Sequence, residues 1–233
     1  MKMNIVFEGV DASGKTTIIK QVLKRLLMNG VECKTISDMK EQTPLLPVIE
    51  KMFNTNFLEV DENFKTSLYQ TLLFSTNHFY VQEKNKNNTG ITIYDRDIFT
   101  ILAYQKEFLK EDYPQNYNEF FDSFRKMMMF EQKDIDMIVY VSVPLDLNIE
   151  RKKNRDGLIF SEREKKQIKN FKNNMEEEID LFSKQNPNTV VLKLDGREDV
   201  SKNCKTVLNE IAKLNSRKNT SHKKDKNNDQ VFQ

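Results

Sequence analysis

The chain has 233 residues, 38% apolar and 31% charged, with a formal net charge of +2. That length suits one α/β domain with room for a tail, and so small a charge points neither toward nucleic acid nor away from it. The two cysteines, Cys33 and Cys204, are too few and too far apart for a disulfide framework and read as reduced thiols. No run approaches the ~18 apolar residues of a membrane span, and the N-terminus runs into a strand rather than a signal peptide, so a cytoplasmic protein is expected.

Taken in order, residues 3–8 form an apolar strand, and a helix follows to Met28, ended by Asn29-Gly30. Residues 31–36 alternate like an edge strand. Pro44 and Pro47 break the next stretch into a long connection holding a short helix. A helix is expected over about 62–85, a strand over 91–94, a helix over 100–107 and one or two helices within 110–132. Residues 137–143 make the clearest strand after the first, stopped by Pro144. A helix over about 145–153 leads to a polar loop, and Ser161 with Glu164 fits a capping box. The helix beyond it carries Ile168, Phe171, Met175, Ile179 and Phe182 at steps of three and four. A fifth strand spans 189–194, and a last helix carries Val200, Cys204, Val207, Leu208 and Ile211. Residues 215–233 hold five cationic and two acidic side chains among Asn, Ser and Gln. Such a segment buries too little apolar area to offset its ordering entropy, so a disordered basic tail is expected after a domain of residues 1–214. Strands alternating with helices predict a five-stranded parallel sheet with helices on both faces, its ligand at the carboxyl ends of the strands.

One stretch organises the rest: Gly9-Val10-Asp11-Ala12-Ser13-Gly14-Lys15-Thr16, followed by Thr17. Two glycines five apart, then Lys and Thr, between a strand and a helix, fit a phosphate-binding loop. Backbone N–H groups and the helix N-terminus would cradle the phosphates of ATP. Lys15 would reach the β- and γ-phosphates, and Thr16 would help hold Mg²⁺. Asp95-Arg96 ends the third strand. Asp95 there suits Mg²⁺ or the nucleophile, and Arg96 suits a bidentate grip on an acceptor phosphate. Arg151, Lys152, Lys153, Arg155 and Arg163 surround a predicted loop, a lid over about 151–164, from which Arg151, Arg155 and Arg163 are the candidate catalytic arginines.

Together these residues resemble the thymidylate kinases, P-loop NTPase-fold enzymes. Phe7-Glu8-Gly9-Val10-Asp11 with Gly14-Lys15-Thr16-Thr17 is similar to that family's phosphate loop. Leu72-Leu73-Phe74 and Asp95-Arg96, with Thr100 and Ala103-Tyr104-Gln105, are similar to its acceptor-side signatures, over about residues 3–214. The resemblance implies transfer of the γ-phosphate of ATP, with Mg²⁺, to dTMP. Asp11 would approach the sugar 3′-hydroxyl, Phe74 would stack on the base, and Arg96 would bind the acceptor phosphate. Tyr104 would sit against the sugar and Gln105 would line the base pocket. It further implies a homodimer, built on the helices around Phe74 and Phe121, and gives no reason for a nucleic-acid partner. Two positions depart from the pattern. The family's Arg-Glu-Pro-Gly stretch is missing, leaving Lys40 as the nearby cation, and His78 stands where the family has the Arg that bonds thymine. Other nucleotides, a nucleoside acceptor, or a nucleotide-binding switch without turnover stay open as alternatives.

Overall fold

The computed structural model describes residues 2–37, 43–52, 67–130, 135–157 and 159–228. Five strands, β1 (Met3–Glu8), β2 (Cys33–Ile36), β3 (Ile91–Asp95), β4 (Met137–Ser142) and β5 (Val190–Asp195), form one sheet in the order β2-β3-β1-β4-β5. Every pairing is parallel. The chain leaves β1 for the edge at β2, returns to β3 beside β1, then crosses to β4 on the other side. The carboxyl ends of β1, β3 and β4 therefore open onto one crevice, where ligands of such sheets bind.

Eight helices cover the two faces among the described residues: α1 (Lys15–Met28), α2 (Leu46–Met52), α3 (Ser67–Asn85), α4 (Ile98–Asp112), α5 (Tyr117–Phe130), α6 (Leu145–Asp156), α7 (Glu162–Gln185) and α8 (Val200–Asn228). None is long and apolar enough to cross a membrane. The period of two along β1 divides the interior. Met3, Ile5 and Phe7 pack with Ile18, Val22 and Leu26 of α1 and Cys204, Val207 and Ile211 of α8. Val6 points the other way, into a core with Phe99 and Leu102 of α4 and Phe171, Met175 and Ile179 of α7. Glu8 has the same parity as Val6 and also falls on the α4 side. Cys33 and Cys204 are free thiols, as expected.

Several boundaries differ from expectation. α6 runs to Asp156 and is closed by Gly157 in a left-handed conformation, so Arg155, expected in the polar loop, lies on the helix with Arg151, Lys152 and Lys153. The capping box of Ser161 and Glu164 forms as read. The tail expected to be disordered from residue 215 instead continues α8 to Asn228. No Gly or Pro interrupts residues 200–228, so backbone bonding propagates without an apolar face to bury. Lys218 also ties this end to the body, with Nζ 2.6 Å from Asp136 and 3.0 Å from the carbonyl of Lys2. Phe74 and Phe121, the expected centres of a subunit contact, lie inside the core.

One buried ion pair joins α5 to α7. Arg125 donates from Nε and Nη2 to the two oxygens of Glu178 at 2.7 and 2.8 Å, and Glu178 is fully buried. Glu178→Ala is expected to lower stability by about 3 kcal/mol, the low end for breaking a buried pair, because Arg125 keeps Asp122 at 2.6 Å. Urea unfolding of the two proteins measures it.

Candidate active site

β1 ends in a turn that only small residues can build. Gly9 has φ +142°, and a Cβ there would lie 2.3 Å from the carbonyl oxygen of Val141 in β4. Ala12 and Gly14 also take positive φ, curling the loop so that α1 begins at Lys15. The Lys15 ammonium folds back onto the loop, donating to the carbonyls of Gly9 (2.8 Å) and Val10 (3.4 Å). Burial first, and then the charge of Arg96, pull its pKa down to about 7. A cleft of about 750 Å³ opens over this turn, lined by the loop from Asp11 to Thr17 with Asp95, Arg96, Arg151, Arg155 and Gly196.

Arg96 follows β3 with its backbone at φ +73°, a conformation a non-glycine residue takes only when its surroundings impose it. Its N–H bonds to the carbonyl of Phe7 at 3.0 Å. The guanidinium donates to Asp11 at 2.8 Å and reaches Thr100 Oγ1 at 3.4 Å. Asp11 also meets Lys152 at 3.7 Å and Arg155 at 3.5 Å.

α6 supplies those last two cations. Its positions 148, 151, 152 and 155 stand at i, i+3, i+4 and i+7, one face of a helix, and all four touch the phosphate loop. Asn148 donates to the carbonyl of Asp11. Arg151 reaches the carbonyls of Ala12 and Ser13 at 3.4 Å each and that of Gly196 at 2.9 Å. Lys152 is almost wholly buried, its ammonium 5.1 Å from the centre of the Phe160 ring. The lid arginines thus divide. Arg151 and Arg155 reach the cleft, whereas Arg163, grouped with them from the sequence, sits in the first turn of α7, is well exposed and pairs with Glu111 at the end of α4.

Of the residues expected at the acceptor, Asp11 and Arg96 line this cleft, whereas Phe74, His78, Tyr104 and Gln105 do not. Tyr104 stacks on Phe171 with ring centres 4.1 Å apart and shares a hydrogen bond with the Arg96 side chain. The carboxamide oxygen of Gln105 accepts from Thr71 at 2.7 Å. His78 lies 3.2 Å from the Asp97 carboxylate, both buried, and Phe74 is in the core. Lys40 falls outside the described residues.

Asn148, Asp97 and Gly196 were not singled out from the sequence. The polar stripe on α6 carries a readable signal for Asn148. Gly196 shows none, although a Cβ there would lie 2.4 Å from the carbonyl of Ser13. For a divalent cation, Thr16 Oγ1 stands 3.1 Å from Asp95 Oδ2 at the cleft. An alcohol and a carboxylate are the hard oxygen donors that Mg²⁺ takes beside nucleotide phosphates, so these two residues fit it. Among the described residues, no cluster of three His, Cys, Asp or Glu side chains is suited to hold a metal.

The thymidylate kinase family model matches residues 7–211. A thymidylate kinase of Prochlorococcus marinus is 27% identical over 219 residues, covering 89% of this chain and 92% of that protein. A probable thymidylate kinase of Metallosphaera sedula is 26% identical over 163 residues, 69% of this chain and 71% of that one. Among solved structures, a deoxyadenosine kinase from M. mycoides with bound dATP superposes with a TM-score of 0.62 at 19% identity, covering 90% of this chain and all of that one. The likeness to that structure is one of fold, and the match to the family spans the phosphate loop, the Asp95-Arg96 turn and α6 alike. The chain belongs to the thymidylate kinase family of nucleotide kinases.

Proposed function

We propose that this kinase transfers the γ-phosphate of ATP to the phosphate of a deoxynucleoside monophosphate, with dTMP the favoured acceptor and dTDP the product. The observation that carries this reading is the placing of Arg96 and Asp11 at one side of a phosphate-loop cleft that α6 covers with Arg151 and Arg155. One phosphate then lies against the loop and Lys15, and a second phosphate against Arg96. An oxygen of the acceptor phosphate attacks the γ-phosphorus and the bond to the β-bridging oxygen of ATP breaks, releasing ADP. The acceptor oxygen is already ionised near neutral pH, so the work is positioning and charge stabilisation. Lys15, Arg151 and Arg155 neutralise the charge that gathers on the leaving and equatorial oxygens. Thr16 and Asp95 would hold Mg²⁺, which would supply further neutralisation of charge there. A homodimer belongs to the same reading, supported by Tyr69 and Leu72, which stand exposed on α3.

A second reading keeps the fold and moves the acceptor to a nucleoside. It is favoured by His78, which pairs with Asp97 where the family pattern has an Arg for thymine, and by the likeness to a deoxyadenosine kinase. ADP release with ATP·Mg²⁺ against dTMP, dUMP, dCMP, dGMP, dAMP, thymidine and deoxyadenosine separates the two. Turnover with dTMP is expected, and Lys15→Ala is expected to lower it by at least about a hundredfold. Turnover confined to nucleosides selects the second reading, and none across the panel overturns both.

The charge on Asp11 gives a further test. Burial works against that charge, but Arg96, Lys152, Lys15 and Arg155 outweigh it and hold the carboxyl well below the usual carboxylate range. A carboxyl depressed in the folded state stabilises the fold above its unfolded pKa of about 4, and that contribution fades as pH falls toward the folded value. Asp11→Asn is therefore expected to be less stable than the parent above about pH 5, with the gap closing below pH 4. Chemical unfolding from pH 3 to pH 7 reads the difference.

A further inference from the structure

We propose that Glu8 is a positioning residue for acceptor binding. Its carboxylate clamps the first turn of α4 and so sets the direction of Arg96. The proposal rests on the reading of Arg96 as the ligand of the acceptor phosphate.

Alternation along β1 sends Glu8 to the same face as Val6, an apolar interior closed by α4 and α7. The side chain has no exposed surface. A carboxylate there is costly unless its oxygens are fully bonded. Glu8 Oε1 accepts from the N–H of Asp97 at 2.9 Å and of Thr100 at 3.2 Å, and Oε2 accepts from the Thr100 hydroxyl at 2.6 Å. All three donors belong to the turn that follows Arg96. Among the described residues no cation lies within ion-pair distance of it.

The start of α4 has a second cap besides this carboxylate. Asp97 is already the N-cap, accepting from the N–H of Ile98 at 2.9 Å. What Glu8 adds is a reference between two parts of the site. Consecutive residues of β1 hold the chain on both sides of Arg96: the Phe7 carbonyl takes the N–H of Arg96, and the Glu8 carboxylate takes the N–H of Asp97. Arg96 itself is at φ +73°, so a free turn would relax away from this shape. The side chain is held as well, because the Thr100 hydroxyl that donates to Glu8 also lies 3.4 Å from Arg96 Nη1. The residue after Glu8 is Gly9, the first of the phosphate loop. One side chain therefore sets the acceptor arginine against the loop that holds the donor.

Glu8→Gln in the full chain keeps the shape and replaces one of the two accepting oxygens by an amide nitrogen. The measurements are acceptor KM and kcat at saturating ATP·Mg²⁺, ATP affinity with a fluorescent analogue, the unfolding midpoint, and hydrogen exchange of the 96–101 amides. Acceptor KM is expected to rise about ten- to hundredfold, the range for hydrogen bonds to a charged group. kcat is expected to change by less than about threefold and ATP affinity by less than about twofold, with faster exchange confined to the turn. Thr100→Val, which keeps the carboxylate, is expected to raise KM less and to add nothing when combined with Glu8→Gln. It also keeps the proposal testable if Glu8→Gln does not fold. Unchanged acceptor KM, or acceptor KM, ATP affinity and unfolding midpoint all moving together, would overturn a positioning role. A parent chain with no turnover would sink the kinase reading instead, and the exchange contrast alone would then decide whether Glu8 holds the turn.

Discussion

Positive charge gathered around one carboxylate governs the carboxyl edge of this sheet. Arg96, Lys152 and Arg155 all reach Asp11, and Lys15 and Arg151 stand beside the same loop. Two like charges 4 Å apart in partly wet protein repel by about 4 kcal/mol, so one aspartate cannot settle the account of several cations. Burial first, and then the charge of Arg96, hold the Lys15 pKa down against Asp95, Asp11 and Glu8. A polyphosphate relieves all these repulsions at once. The site is thus already shaped, electrostatically, for the charge that phosphoryl transfer spreads over its oxygens.

Holding cations in such proximity needs a rigid frame, and the frame is mostly polar. α6 lies on the phosphate loop through Asn148, Arg151, Lys152 and Arg155 rather than through an apolar stripe. Each contact goes to a carbonyl or carboxylate of residues 11–13, with one more to Gly196. A helix docked this way can exchange those oxygens for phosphate oxygens without exposing a core. Lys152 is the exception, since its aliphatic stem and ammonium are enclosed with Phe160. That enclosure gives the covering helix a fixed point while its two arginines stay at the cleft.

Much of this was legible in the sequence because the signals are local. The phosphate loop needs glycine at 9 and 14 for backbone reasons and Lys15 and Thr16 for chemical ones, so a short string names the site. Strand and helix faces follow from periods of two and of three to four, whereas the order of the strands does not. The failures have physical causes of another kind. Arg163 shares the charge and neighbourhood of Arg155, but eight residues along the chain it belongs to a different helix and faces Glu111. Residues 215–228 hold no apolar side chain, and composition is silent about a helix that simply propagates from a well-packed first half. Gly196 carries no motif because its constraint, the carbonyl of Ser13, lies far away in sequence. Tertiary proximity of this sort leaves no local trace.

The wall between α3 and α4 completes the argument about cost. The buried side of α3 carries Ser67, Gln70, Thr71, Ser75, Asn77, His78, Gln82 and Asn85 among only a few apolar residues. A helix placed merely to fill a core would be apolar there, since each buried polar group must find partners to avoid a penalty of about 1–3 kcal/mol. Several do find them: Thr71 with Gln105, Asn77 with Thr43, and His78 and Gln82 with Asp97, while Ser67 is held by its backbone N–H, which donates to Asp112. Asp97 is at once the partner of His78, the cap of α4 and the neighbour of Arg96. The polar wall therefore meets the turn that carries Arg96 at Asp97, the next residue in the chain. A chain that replaces the family's arginine by His78 has altered the wall at the point where it joins the phosphate site.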